Sequence, residues 1–275
     1  MENVQKTKIE GIFPLTHIQQ GLLFHSLSGG WDQGFLNVRC TLKGNLDQSN
    51  FMQAWKLAIK RHAVLRTTIH WENLEKPVQI VHQKKSMNIN FLDWREDSPE
   101  EIEQKWKSLL ASSRESGVNF EYGALLNLTL VAVEENVFRF LWPSHHLLVD
   151  GWSSHIVLKD VFEFYQALCN KTEPLFETLP SFKSYLGWVN KMNNEAVGSF
   201  WKGYFKNFEQ AYLFDPSNKQ VETVKPILKK LSLSEADTRS LRAFAQNHQV
   251  TINTVVQGVW AILLSKYFGS VDVVY

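Results

Sequence analysis

Apolar positions along the chain change period several times, and each change marks an element. Leu15, Ile18 and Leu22 recur at helical spacing, and "VRCTLKG" (Val38 to Gly44) then alternates as a strand does. Asp47 stands where an N-cap belongs, ahead of a helix whose apolar face is Phe51, Ala54, Trp55 and Ala58. "VLRTTIHW" (Val64 to Trp71) is β-branched and predicts extended chain. Ser98, Pro99 and Glu101 spell a capping box with proline at the first helical position, so a helix starts there and runs towards Ser113. "NLTLVAV" and "VFRFLW", joined through Glu134, Glu135 and Asn136, predict an antiparallel pair. The second strand runs into two adjacent histidines, and from Trp152 a helix follows with Val157, Val161, Phe164 and Leu168 on one face. Further on, Ser234 and Asp237 open another helix, and Ile252, Val255, Val256, Val259 and Leu263 line a third. The closing "VDVVY" reads as the start of a strand, and the whole order is mixed α/β.

Composition narrows the class. With 275 residues, 44% of them hydrophobic, the chain can bury a large core in one or two domains. Lysine and arginine number 29 against 28 acidic residues, which gives no electrostatic case for nucleic acid or an anionic membrane as partner. The start, "MENVQKTKIEG", lacks the apolar centre of a signal peptide, and no stretch approaches the roughly 20 apolar residues that span a bilayer, which places the chain in the cytoplasm. Cys40 and Cys169 are the only cysteines and indicate neither a disulfide framework nor a zinc site. The polar stretch "DPSNKQVETVKP" (Asp215 to Pro226) is the one plausible connection between lobes.

The chemistry concentrates in "SHHLLVDGWSS", Ser144 to Ser154, at a strand-to-helix junction. Free backbone N–H groups at the helix start and the positive end of its dipole favour developing negative charge. Gly151 lets the backbone approach a substrate closely. His145 and His146 are consecutive and point to opposite sides of an extended segment, so only one faces a given pocket. An imidazole near a helix N-terminus has its protonation disfavoured, which suits it to accept a proton. Divergent histidines and the lack of a fourth ligand argue against a metal site built from His145, His146 and Asp150. His145 and Asp150 also satisfy the HxxxxD spacing of glycerolipid acyltransferases, although no basic amphipathic segment supports the membrane contact such enzymes need. Ser144, Ser153 and Ser154 read as turn or capping residues, and His25 as structural.

"SHHLLVDGWSS" resembles the HHxxxDG motif of condensation domains of non-ribosomal peptide synthetases, in the chloramphenicol-acetyltransferase-like superfamily. "FPLTHIQQGLLFHSL" (Phe13 to Leu27), "RHAVLRTTI" (Arg61 to Ile69) and "SFKSYLGWV" (Ser181 to Val189) resemble that family's other motifs, in order. The resemblance implies a two-layer α/β sandwich lobe over residues 1–170 with a mixed, largely antiparallel sheet. A helical connection would follow over 171–226, and 227–275 would begin a second similar lobe in which the chain stops. It implies joining an upstream acyl or peptidyl thioester to the amino group of a downstream aminoacyl thioester. Both substrates would ride on phosphopantetheine arms of peptidyl carrier proteins, with adjoining synthetase domains as further partners and no cofactor bound directly, in antibiotic biosynthesis. His146 would stand beside the attacking amine as general base or positioning group, and Gly151 would present its N–H near the reacting carbonyl. His145 would pack and hydrogen-bond, while Asp150 would pair with Arg66 to fix the loop. A single histidine in "HSLSGGWD" (His25 to Asp32) argues against the dual epimerising subtype, and "QQGLLFHSL" is closer in wording to subtypes that take a D-configured donor. A chain ending inside the second lobe would leave apolar faces on Thr251 to Ser265 partly uncovered, self-associate and turn over little by itself. A carrier-docking module without catalysis is the other reading.

Overall fold

The computed structural model describes residues 8–28, 34–117, 119–120, 127–174, 176–189, 191–192, 194–208 and 229–275. They fall into two compact units, Met1–Gly187 and Trp188–Tyr275.

In the first unit a four-stranded sheet carries the core. Its order is β2 (Phe35–Lys43), β7 (Val137–His145), β6 (Asn127–Glu134) and β5 (Asn88–Asp93), antiparallel except for the parallel β5–β6 pair. Helices cover both faces. On one, α2 (Gln48–Arg61) and α4 (Gly151–Asn170) bring Phe51, Trp55, Val157 and Val161 against Phe140 and Trp142 of β7 and Leu128 and Leu130 of β6. On the other, α3 (Pro99–Ser116) sets Ile102 and Trp106 against Val131, Val133 and Leu141. Burial on both faces is why β6 is apolar at every position from Leu130 to Val133 rather than alternating. A second, three-stranded antiparallel sheet has the order β1 (Ile9–Pro14), β4 (Val78–His82), β3 (Thr67–His70).

Local signals set the helix starts. Asp47 accepts from the Asn50 N–H at the head of α2, and Ser98 and Glu101 close the capping box of α3. Between β1 and β2, α1 (His17–Leu27) opens on a second capping box, Thr16 with Gln19. Leu23 is its buried residue and Leu22 packs beside it, with Leu15 buried just before the cap, while Ile18 points outward at 76% exposure, so of the 15/18/22 spacing Ile18 alone misses the inner face.

Other expectations are corrected. "VLRTTIHW" is not extended throughout: Ala63–Arg66 form a 3-10 turn before β3 begins at Thr67. The turn lets Arg66 fold under α2, where its guanidinium is buried. "VDVVY" forms no strand, having no partner strand among the described residues. The stretch from Asp215 to Pro226 lies outside the described residues. The first unit runs on to Gly187, and the chain beyond α4 packs on its core: Phe176 lies against Phe164 with ring centroids 4.5 Å apart and under the Arg61 guanidinium at 4.4 Å.

The second unit contains α6 (Asn194–Tyr204), α7 (Glu235–Asn247) and α8 (Ile252–Phe268), while α5 (Phe182–Val189) spans the division. Ser234 caps α7 through the Asp237 N–H and Thr251 caps α8 through the Thr254 N–H. On α8, Val256, Val259 and Leu263 are exposed.

Candidate functional site

β7 delivers the two histidines to the end of the four-stranded sheet. His145 is the last residue of the strand, paired with Phe35 of β2, and the turn that follows leads through Asp150 into α4. The two rings meet opposite environments.

His145 is fully buried. Its Nδ1 accepts from the Leu147 N–H at 3.0 Å, its Nε2 lies 3.1 Å from Ser26 Oγ, and its ring stands T-shaped to Phe120 at 4.8 Å between centroids. His146 is exposed, and its main-chain N–H donates to Gly34 O at 2.8 Å. Of the two, His146 alone presents its ring to solvent. With both nitrogens of His145 engaged in the core, the HxxxxD reading loses its base. Among the described residues no group of three His, Cys, Asp or Glu side chains is placed to hold a metal ion.

Asp150 is the N-cap of α4. Its carboxylate accepts from the Ser153 N–H at 2.7 Å and from Ser153 Oγ at 2.6 Å, while the Asp150 N–H donates back to Ser153 Oγ at 2.8 Å. Hydrogen bonds from the Ser153 hydroxyl and N–H hold the carboxyl below its ordinary range, so it stays ionised and cannot serve as a proton donor near neutral pH. Gly151 is the first residue of α4, so its N–H has no helical carbonyl to donate to. A Cβ added there would meet nothing within 4 Å, and the backbone is unstrained; neither packing nor conformation explains the glycine.

Arg66 does not pair with Asp150. Its Nε donates to Ile59 O at 3.0 Å and its Nη1 reaches Glu10 Oε2 at 2.6 Å as well as His82 O. It therefore ties the end of α2 to β1 and β4. The contact between "RHAVLRTTI" and α4 is made by other residues: Arg61 Nε and His62 Nε2 both reach Asp160 Oδ2, at 2.7 and 2.8 Å. Asp160 lies ten residues past the N-cap, deep in the helix, where burial pushes the His62 imidazole down against the opposing pull of Asp160. The resemblance implied the Arg66–Asp150 pair; the 3-10 turn at Ala63–Arg66 directs Arg66 away from it.

Two residues that hold the loop carry no chemical signature in the sequence. Ser26 meets the His145 ring, and Gln19 donates to Leu147 O at 3.1 Å. The pattern Thr16-x-x-Gln19 could have flagged the cap but not the second bond of Gln19. Among the described residues no helix is long and apolar enough to cross a membrane.

Comparison with known proteins identifies the family of the chain. The family model of the condensation domain matches residues 9–275. The chain is 36% identical over 273 residues to one of the polypeptides of the linear gramicidin synthase of Brevibacillus parabrevis, covering 97% of this chain and 5% of that protein. It is 31% identical over 274 residues to a polypeptide of the mycosubtilin synthase of Bacillus subtilis, covering 98% and 10%. The chain thus spans a small part of the curated relatives it matches. The first condensation domain of the calcium-dependent antibiotic synthetase superimposes with a TM-score of 0.76 at 16% identity, over 97% of this chain and 63% of that one. The starter condensation domain of the rhizomide synthetase RzmA does so with a TM-score of 0.63 at 18% identity, over 74% and 50%. A buried first histidine, an exposed second one, a self-capped aspartate and a glycine at the helix start thus lie within a matched region that covers nearly the whole chain, and the chain belongs to the condensation-domain family of non-ribosomal peptide synthetases.

Proposed function

We propose that this chain contributes the site where an amine attacks an acyl or peptidyl thioester to form an amide, both partners being delivered on the phosphopantetheine arms of carrier proteins within a cytoplasmic synthetase. The observation that carries the reading is the contrast at the motif: His145 is sealed and bonded, and His146, its neighbour, is exposed on the turn that leads into α4.

An α-amino group with a pKa of about 7.7–8.0 is already roughly a tenth or more uncharged at pH 7, so no base is required to generate the nucleophile. The proton becomes a problem later. As nitrogen adds to the thioester carbon it turns cationic; the C–N bond forms, the C–S bond breaks, and the proton lost by nitrogen must reach the departing thiolate. The His146 imidazole takes that proton or stabilises the charge, and returns the proton to sulfur. The Gly151 N–H and the helix dipole face negative charge building on the carbonyl oxygen. The thioester is already activated, so no serine or cysteine nucleophile is called for.

The test is amide formation between two loaded carriers, followed by mass spectrometry, in the polypeptide that carries this chain. His146→Ala lowers kcat by about 10²–10⁴ with carrier binding intact. Product formed at the unaltered rate refutes the role of His146; carrier binding without product in the unsubstituted protein favours a docking module.

A further inference from the structure

The residues on either side of His146 are held by one helix. Upstream, the Leu147 N–H donates to His145 Nδ1, which leaves Nε2 carrying the proton and makes it the donor to Ser26 Oγ. Ser26 in turn donates to Leu22 O at 3.0 Å. Downstream, Gln19 Nε2 donates to Leu147 O at 3.1 Å. The amide of Gln19 is oriented from behind: its Oε1 accepts from the Thr16 N–H at 3.0 Å and from Gln79 Nε2 at 3.3 Å, and the buried Gln79 is itself fixed by donating to Pro14 O at 2.9 Å. A flipped amide would set N–H against N–H at Thr16, so the loop-facing group is the NH2. A line of hydrogen bonds therefore runs from β4 through α1 to the carbonyl next to His146.

Resting on the role of His146 given above, we propose that α1 is a clamp that sets the catalytic imidazole, with Gln19 and Ser26 as positioning residues that touch neither substrate. The choice of glutamine bears on this. Glutamate serves a capping box equally well. At position 19 it would keep the bond from the Thr16 N–H but turn a second acceptor towards Leu147 O, breaking the loop contact alone. The placement matters because a reacting group shifted by about 1 Å can lose as much as 10²-fold in rate.

The experiment compares Gln19→Glu, Ser26→Ala, Thr16→Ala and His146→Ala in the amide-forming assay, with thermal melting of each variant. Gln19→Glu lowers kcat by about 10- to 100-fold with KM for both thioesters little changed. Ser26→Ala, which leaves the cap alone, shows the same pattern, so the clamp remains testable even if position 19 tolerates no change. Thr16→Ala removes the side-chain cap of the same helix but keeps the main-chain N–H that orients Gln19, and lowers kcat less than Gln19→Glu does. In a His146→Ala background, Gln19→Glu has no further effect, because there is no ring left to place. Wild-type kcat in both Gln19→Glu and Ser26→Ala, or an equal loss with and without His146, overturns the clamp while the His146→Ala defect stands. An unimpaired His146→Ala overturns the reading beneath it and the clamp together.

Discussion

The two ends of the motif loop are secured by different physics. At the strand end, His145 is buried and held by partners far away in sequence: Ser26 on α1 and Phe120 against its ring. At the helix start, Asp150 is exposed and is held by Ser153, three residues on, in a closed exchange of hydrogen bonds. One end depends on the packed tertiary structure and the other would form in almost any context that lets α4 begin. His146 lies between them, fixed through its main chain and free at its ring. If the site takes two carrier-borne substrates as proposed, this division suits it: the strand end supplies rigidity and the helix start leaves the approach open.

The strand end should fail hardest. His145→Ala removes a buried ring from its contact with Phe120 and strands the buried Leu147 N–H, and is expected to cost about 2–4 kcal/mol in urea denaturation. A loss below about 1 kcal/mol would mean that the end is not held as described. At the helix start, Asp150→Ala is expected to cost about 1 kcal/mol, the ordinary value of an N-cap. Its dependence on pH has a defined sign. The folded carboxyl titrates below its unfolded value, so the folded state binds fewer protons and the contribution is fully present above the unfolded pKa of about 3.9. It fades as pH falls through the folded value, so wild type and Asp150→Ala should converge in stability in strong acid and differ at neutrality; a constant difference would remove the ionised cap. The smallest effect sharpens the contrast most. Because Arg66 bonds Glu10 and main-chain carbonyls rather than Asp150, a double-mutant cycle of Arg66→Ala with Asp150→Ala should show coupling below about 0.5 kcal/mol. Coupling of about 2 kcal/mol would restore a tertiary anchor to the helix start and erase the distinction.

What could be read from the sequence follows the range of the forces involved. Ser98-Pro99-x-Glu101, Asp47 and Ser234 announce helix starts because a cap is satisfied within three residues. The β6–β7 pair was legible because its turn is local. The parallel β5–β6 pair and the β1–β4 pair were not, since each joins segments separated by a helix or more, and β1 and β5 carry ordinary short patterns. At the site, the motif singled out His145, His146, Asp150 and Gly151, yet could not say that Arg66 turns away or that Arg61 and His62 reach Asp160 instead. Nor could it show that Gln19, half of a helix cap, also grips the loop. Those facts depend on which way a short 3-10 turn directs a side chain and on which face α1 lays against the loop.

The amino-acid sequence by itself determined the helix caps, the apolar stripes of α2 and α4, and the divergence of two neighbouring histidines, because each follows from backbone period and from bonds between residues a few positions apart. Tertiary structure alone decided what seals His145, which way Arg66 turns and what holds the loop between the two ends. Burial and long-range hydrogen bonds are properties of distant segments brought together, and no local pattern records them.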